Sequence, residues 1–161
     1  MKERLLHILE KNGKMSTADL AVMLDSTELE IQTAIAEMEA DGVICGYPAL
    51  INWDNTEFEH VTALIEVKVA PERGRGFDKV AERIYQFDEV ESLYLMSGGF
   101  DLTVIIRGKS MKEVARFVAT KLSPMESVIS TGTHFVLKKY KEYGLSLVEG
   151  KNEDERQLIT P

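Results

Sequence analysis

Cysteine is nearly absent. The 161 residues hold one, Cys45, which excludes an internal disulfide and any cysteine-based metal cluster and agrees with a reducing compartment. The three histidines, His7, His60 and His134, are scattered over a helix, a strand start and a sheet strand without metal-ligand spacing, so no metal and no cofactor is expected. Apolar runs are strand-length, as in Leu102 to Ile106, well short of the ~20 residues a membrane helix needs. The opening MKERLLHILEKNGK alternates charge with apolar residues where a signal peptide would have an apolar block. The expectation is a cytoplasmic protein without membrane contact. The most informative gap is in charge of one sign, since no Lys or Arg occurs between Met15 and Val67.

What is present suits one ordinary globular domain or two small ones, with 44% hydrophobic residues to fill their cores. The net charge of −8 is unevenly spread. Residues 1–60 hold 4 Lys/Arg against 12 Asp/Glu, a net of −8, whereas residues 61–145 hold 13 against 11, a net of +2. Residues 146–161 hold 2 against 4, a net of −2.

Leu5, Leu6, Ile8 and Leu9 mark an amphipathic helix over about 2–11, stopped by Asn12-Gly13. Ser16 or Thr17 caps a second helix with Leu20, Ala21, Met23 and Leu24 as its apolar positions, and Asp25-Ser26-Thr27 reads as a turn. A third helix carries Leu29, Ile31, Ile35 and Met38 on one side and ends at Gly42. Three short helices with a tight turn between the last two form a helix-turn-helix head, winged-helix-like through the strand-rich segment 43–51. Domain boundaries follow: a head over 1–51, a connector over 52–59, a second domain over 60–145 and a polar tail over 146–161.

The second domain alternates regularly. Strands are expected at about 60–70, 90–96, 100–108 and 127–138, and helices at about 77–87 and 111–122. This βαββαβ order is ferredoxin-like, and the whole is an α+β chain. Leu102 to Ile106 is apolar on nearly both sides, and Thr131 to Leu137 is close to that, so an open sheet face predicts face-to-face pairing of two copies. The turn Ser97-Gly98-Gly99 leads into Phe100-Asp101. Its glycines permit positive φ and close backbone approach to an anion, while Asp101 supplies a fixed negative charge. The same residues also suit a plain hairpin turn whose Asp bonds backbone amides. Thr131 and Thr133, two apart on a strand, present both hydroxyls to one face.

The stretch from Leu20 to Tyr47, LAVMLDSTELEIQTAIAEMEADGVICGY, resembles the helix-turn-helix and following strand of the Lrp/AsnC (feast/famine) regulators, especially Asp41-Gly42-Val43-Ile44 with Gly46-Tyr47. Ser97-Gly98-Gly99-Phe100-Asp101 and Thr131-Gly132-Thr133 resemble that family's sensing domain, and the likeness runs from about residue 3 to 143. The resemblance implies a non-enzymatic transcriptional regulator that forms homodimers able to assemble into octamers and answers to a free amino acid or related small molecule. It places effector contacts at Ser97, Gly98, Gly99, Phe100, Asp101, Thr131 and Thr133, and DNA contacts at Thr27, Gln32, Thr33 and Glu37.

This chain departs from the family in its head. The family's basic positions fall on Thr33, Ala34, Ala36 and Glu37, so the third helix offers DNA no cation, although Lys and Arg supply most phosphate affinity. Gln32 and Thr33 can still read base edges, and Lys2, Arg4, Lys11 and Lys14 can reach the backbone from the first helix. The alternative is an effector-binding oligomer whose head has become a partner or dimerisation surface, in one version through co-assembly with a basic paralogue. An enzyme reading also exists, because sirohaem decarboxylases resemble these regulators. Their signatures include histidines that the strands Glu91–Met96 and Leu102–Arg107 lack, and Gly74-Arg75-Gly76 lacks the flanks of a phosphate loop.

Overall fold

The computed structural model describes residues 1–70 and 76–148. Gly74-Arg75 and the tail from residue 149 lie outside the described residues. The chain divides into two compact units, Met1–Ile51 with Glu142–Leu145 and Asn52–Lys141 with Ser146–Pro161. No helix among the described residues is long and apolar enough to cross a membrane.

In the first unit, α1 spans Lys2–Lys11, α2 Thr17–Leu24 and α3 Glu28–Ala40. Each boundary has a local cause. Ser16 caps α2 by accepting the Asp19 amide, and Asp25 then turns the chain in the left-handed region, at φ 51°. Thr27 and Glu30 form a reciprocal capping box at the start of α3. Gly42, at φ 70°, lets the chain leave α3. Leu5, Leu9, Leu20, Ala21, Leu24, Ile31, Ala34 and Met38 make the core.

Three expectations change here. Leu29 is 73% exposed and Met23 52% exposed, so neither joins that core, which takes Ala34 instead. The strand expected within 43–51 does not form. A strand needs a ladder partner, and none of the described strands lies beside these β-prone residues.

The second unit carries β1 (Val61–Val69), α4 (Asp78–Tyr85), β2 (Val90–Leu95), β3 (Leu102–Gly108), α5 (Met111–Phe117) and β4 (Val128–Phe135). The four strands form one antiparallel sheet in the order β2-β3-β1-β4, the ferredoxin-like arrangement. Ser110 caps α5 through the Glu113 amide, and the helix continues as a π turn, Val118–Leu122, where the Ser123 amide reaches the Val118 carbonyl. A short ribbon of β5 (Lys141–Glu142) and β6 (Leu145–Ser146) follows.

Alternation assigns the two sheet faces. Ala63, Ile65, Val67 and Val69 of β1 are buried with Leu102, Val104 and Ile106 of β3, against Val80, Ile84, Val114, Phe117 and Leu122 from the helical layer. Cross-strand register puts Thr62, Leu64, Glu66 and Lys68 on the opposite face with Thr103, Ile105, Arg107 and His134. That face is apolar only at its centre. Its margins are polar: Arg107 forms an ion pair with Glu91 at 2.7 Å, and the His134 ring nitrogen stands 3.5 Å from the Glu66 carboxylate. β4 is less apolar than expected, since Ile129, Ser130, Thr133 and His134 are exposed along this edge strand.

Candidate functional site

The loop between β2 and β3 is longer than the tight turn its glycines suggest, because β3 begins at Leu102 instead of Phe100. The Met96 amide donates to the Asp101 carbonyl at 2.8 Å and closes the loop. Gly98 sits at φ 138°, a conformation that side-chain-bearing residues rarely adopt, whereas Gly99 does not have positive φ. Ser97, Gly98 and Gly99 are exposed and Phe100 and Asp101 half-buried.

Asp101 ties this loop to β1 twice. Its amide donates to the Val67 carbonyl at 3.1 Å, and its carboxylate Oδ2 accepts the Val69 amide at 2.9 Å. The carboxylate therefore holds the end of β1 as well as marking the loop with negative charge, a combination of the two roles that the residues alone left open. An exposed glycine turn beside a fixed carboxylate offers amides to a carboxylate and an anion to an ammonium.

The threonines stand elsewhere on the sheet. Thr131 pairs with Val67 and Thr133 with Ile65, so their side chains share the helix-covered face of β4. β4 borders β1 and not β3. Val67 pairs with Leu102 on one side and Thr131 on the other, which separates the loop's end from Thr131 by two strand spacings, ~10 Å. Thr133 lies further along. The structure thus gathers Ser97 to Asp101 into one loop with Thr131 at its far flank, and does not bring Thr133 to it.

In the head, all four candidate DNA contacts have partners within the unit. Thr27 caps α3 and bonds Glu30, whose carboxyl is held below the usual range first by the Thr27 amide and then by Ser26 and Thr27 hydroxyls. Gln32 donates to Glu28 at 3.3 Å, and the Thr33 hydroxyl donates to the Leu29 carbonyl at 2.8 Å. Glu37 pairs with Lys2 at 2.7 Å, which raises the lysine's pKa, chiefly through that hydrogen bond. Ala34 is buried, so that position faces the core. The outward face of α3 shows Leu29, Gln32, Thr33, Ala36 and Glu37 and no Lys or Arg of its own; the ammonium on Glu37 is that of Lys2 in α1.

Other arrangements were not read from the sequence. Lys121 bonds Glu89 at 2.5 Å while its ammonium stands 5.0 Å from the Phe87 ring centre and 5.5 Å from that of Phe117. Trp53 meets His60, Phe58 and Arg107. Only the presence of a single tryptophan in the chain hinted at the second cluster. Among the described residues, no group of three or more His, Cys, Asp or Glu is placed to hold a metal.

Comparison with known proteins supplies the context. A family model described as the Lrp/AsnC ligand binding domain matches residues 62–145. The uncharacterized HTH-type transcriptional regulator YugG of Bacillus subtilis is 50% identical over 158 residues, which is 98% of this chain and 95% of that one. The leucine-responsive regulatory protein of Haemophilus influenzae is 28% identical over 141 residues, 86% of this chain and 83% of its own. Among solved structures, E. coli AsnC superposes with a TM-score of 0.67 at 18% identity, covering 88% of this chain and 93% of its own. A Neisseria meningitidis transcriptional regulator, solved as its L-Met complex, gives 0.71 at 21% identity, covering 91% and 94%. These relatives are transcriptional regulators and not enzymes.

Proposed function

The chain belongs to the Lrp/AsnC family of transcriptional regulators, and from that premise we propose that its second unit senses a free amino acid at the Ser97–Asp101 loop. The observation that carries this reading is the position of Asp101, whose carboxylate is fixed to the Val69 amide beside an exposed glycine turn. The ammonium of a zwitterion would meet Asp101, and its carboxylate would meet loop amides near Gly98 and Gly99, with Thr131 at the flank for a longer side chain. The L-Met complex of the Neisseria regulator supports an amino acid as the ligand class. Thermal melts with free amino acids test it.

Two copies pair through the open sheet face in this reading. Leu64 and Ile105 form its half-buried apolar centre, and the Arg107–Glu91 ion pair lies at its border, the pattern of an interface core with a polar rim. Sedimentation of the full chain tests this, and a monomer would remove it.

The head contacts DNA in the reading the family favours, with Thr27, Gln32, Thr33 and Glu37 nearest the groove. A second reading rests on α3 itself, which contributes no Lys or Arg to its outward face and whose polar groups are engaged within the head. The head is then a partner or dimerisation surface, or one half of a mixed assembly with a basic paralogue. A gel shift at low salt separates the two.

A further inference from the structure

A protein that binds DNA needs cations against the phosphates, and the head has few to give. No Lys or Arg occurs between Met15 and Val67, and α3 contributes none to its outward face. The densest run of positive charge lies elsewhere, at Lys138-Lys139-Tyr140-Lys141, and no other four consecutive residues of the chain hold three cations. These four positions belong to the second unit. They follow its edge strand β4, which ends at Phe135.

The Val136 amide still donates to the Thr62 carbonyl at 2.9 Å, after which the chain leaves the four-stranded sheet for the separate ribbon of β5 and β6. The Leu147 amide donates to the Tyr140 carbonyl at 2.9 Å and closes the base of that ribbon. The run therefore sits on ordered backbone outside the four-stranded sheet. Lys138, Tyr140 and Lys141 are exposed, and Lys139 is half-buried. The Lys138 ammonium stands 5.3 Å from the Tyr140 ring centre, and Tyr140 is 66% exposed. Among the described residues neither Lys138 nor Lys141 forms an ion pair. Glu142 is the single acid between Val136 and Ser146.

Three residue steps separate Lys138 from Lys141, a reach of at most ~10 Å, which is the axial length of about three phosphates on one DNA strand. Ammonium groups on that pitch neutralise a phosphate backbone, and a tyrosine hydroxyl donates to phosphate oxygens. Lysine is a point charge without the planar fork that reads a base edge in register, so such a contact carries no sequence preference. An anionic membrane would meet the same charges, but the relatives of this chain are transcriptional regulators, which favours DNA. We propose that the Lys138–Lys141 run is a second DNA-contacting surface, one that grips phosphates without reading sequence and supplies positive charge that the acidic head lacks. It stands whether or not α3 enters the groove.

The salt dependence of binding is the test. Full-length parent and the double variant Lys138→Gln/Lys141→Gln are titrated with a duplex of the protein's own upstream region and with a shuffled duplex of equal length, between ~25 and ~100 mM salt. The slope of log K against log salt should be shallower in the variant by about two, and both duplexes should lose affinity by the same factor, roughly tenfold at ~50 mM. Lys138→Arg/Lys141→Arg should keep the parent slope, with melts confirming that both variants fold. Glu37→Lys without effect, beside a shallower slope in the Gln variant, would remove only the contact of the head and leave this one standing. An unchanged slope in the Gln variant, weakening confined to the upstream duplex, or a parent that binds neither duplex would overturn the proposal. Loss of binding to phosphatidylserine vesicles with an unchanged DNA slope would do the same, by assigning the lysines to a lipid surface.

Discussion

Asp101 and Val69 are joined across the sheet by a 2.9 Å hydrogen bond in which the Val69 amide donates to the Asp101 carboxylate. The same side chain thus holds the end of β1 and offers charge to a ligand. Removing it outright leaves a half-buried amide without its acceptor, which costs about 1–3 kcal/mol. Asp101→Ala is therefore expected to lower the melting temperature, whereas Asp101→Asn keeps an acceptor oxygen and stays near the parent. Equal melts for parent and Asp101→Ala would show that this bond contributes nothing.

Gly98 and Gly99 should differ although they are neighbours. A Cβ at either position meets open space, so sterics do not separate them. Gly98 alone holds positive φ, at 138°. Gly98→Ala is expected to destabilise by at least ~1 kcal/mol and Gly99→Ala to be nearly neutral. Urea unfolding midpoints decide this, and equal shifts would mean that the loop relaxes freely.

The head's charge predicts weak, salt-sensitive DNA binding. The parent is expected to retard a duplex of its own upstream region at about 50 mM salt and to release it by about 150 mM. Glu37→Lys removes an acid from the outward face of α3, adds a cation and releases Lys2, so affinity should rise by roughly tenfold. No shift at low salt would leave the partner-surface reading, and an unchanged Glu37→Lys would take α3 away from the groove.

Glu89 gives a pH dependence of definite sign. The Lys121 hydrogen bond, against an opposing effect of burial, holds its carboxyl below the ordinary value. A depressed carboxyl stabilises the folded state above its unfolded pKa, about 4.3, and that contribution disappears as pH falls through the lower folded value. Both side chains are more than a third exposed, so the effect is limited to about 1 kcal/mol. Parent and Glu89→Gln melts should differ at pH 7 and converge as pH falls through the lowered folded value. A gap of constant size across the whole acid range would point to packing against Phe87 and Phe117 instead of charge.

The fold was legible in the sequence because its elements carry local signals. Ser16, Thr27, Ser110 and Gly42 cap or stop helices by side-chain hydrogen bonds or backbone freedom, and β1 alternates cleanly. What could not be read depends on distant partners. Whether segment 43–51 forms a strand is decided by the presence of a ladder neighbour, and the exposure of Leu29 by which side of α3 meets α1 and α2. The candidate loop was visible as Ser97-Gly98-Gly99-Phe100-Asp101, but the bond from Asp101 to Val69 spans 32 positions and has no local trace. The same holds for Thr131 and Thr133, whose spacing shows a shared face while the strand order that sets β1 between them and the loop is a property of the whole sheet.

Calorimetric titration of the full chain and of Asp101→Asn with a panel of free amino acids bears most directly on the sensing claim. At least one amino acid should bind the parent saturably, and its affinity for the loop should fall roughly tenfold or more in Asp101→Asn. Undiminished affinity for every binding amino acid in that variant, or no heat from any amino acid with the parent, would contradict it.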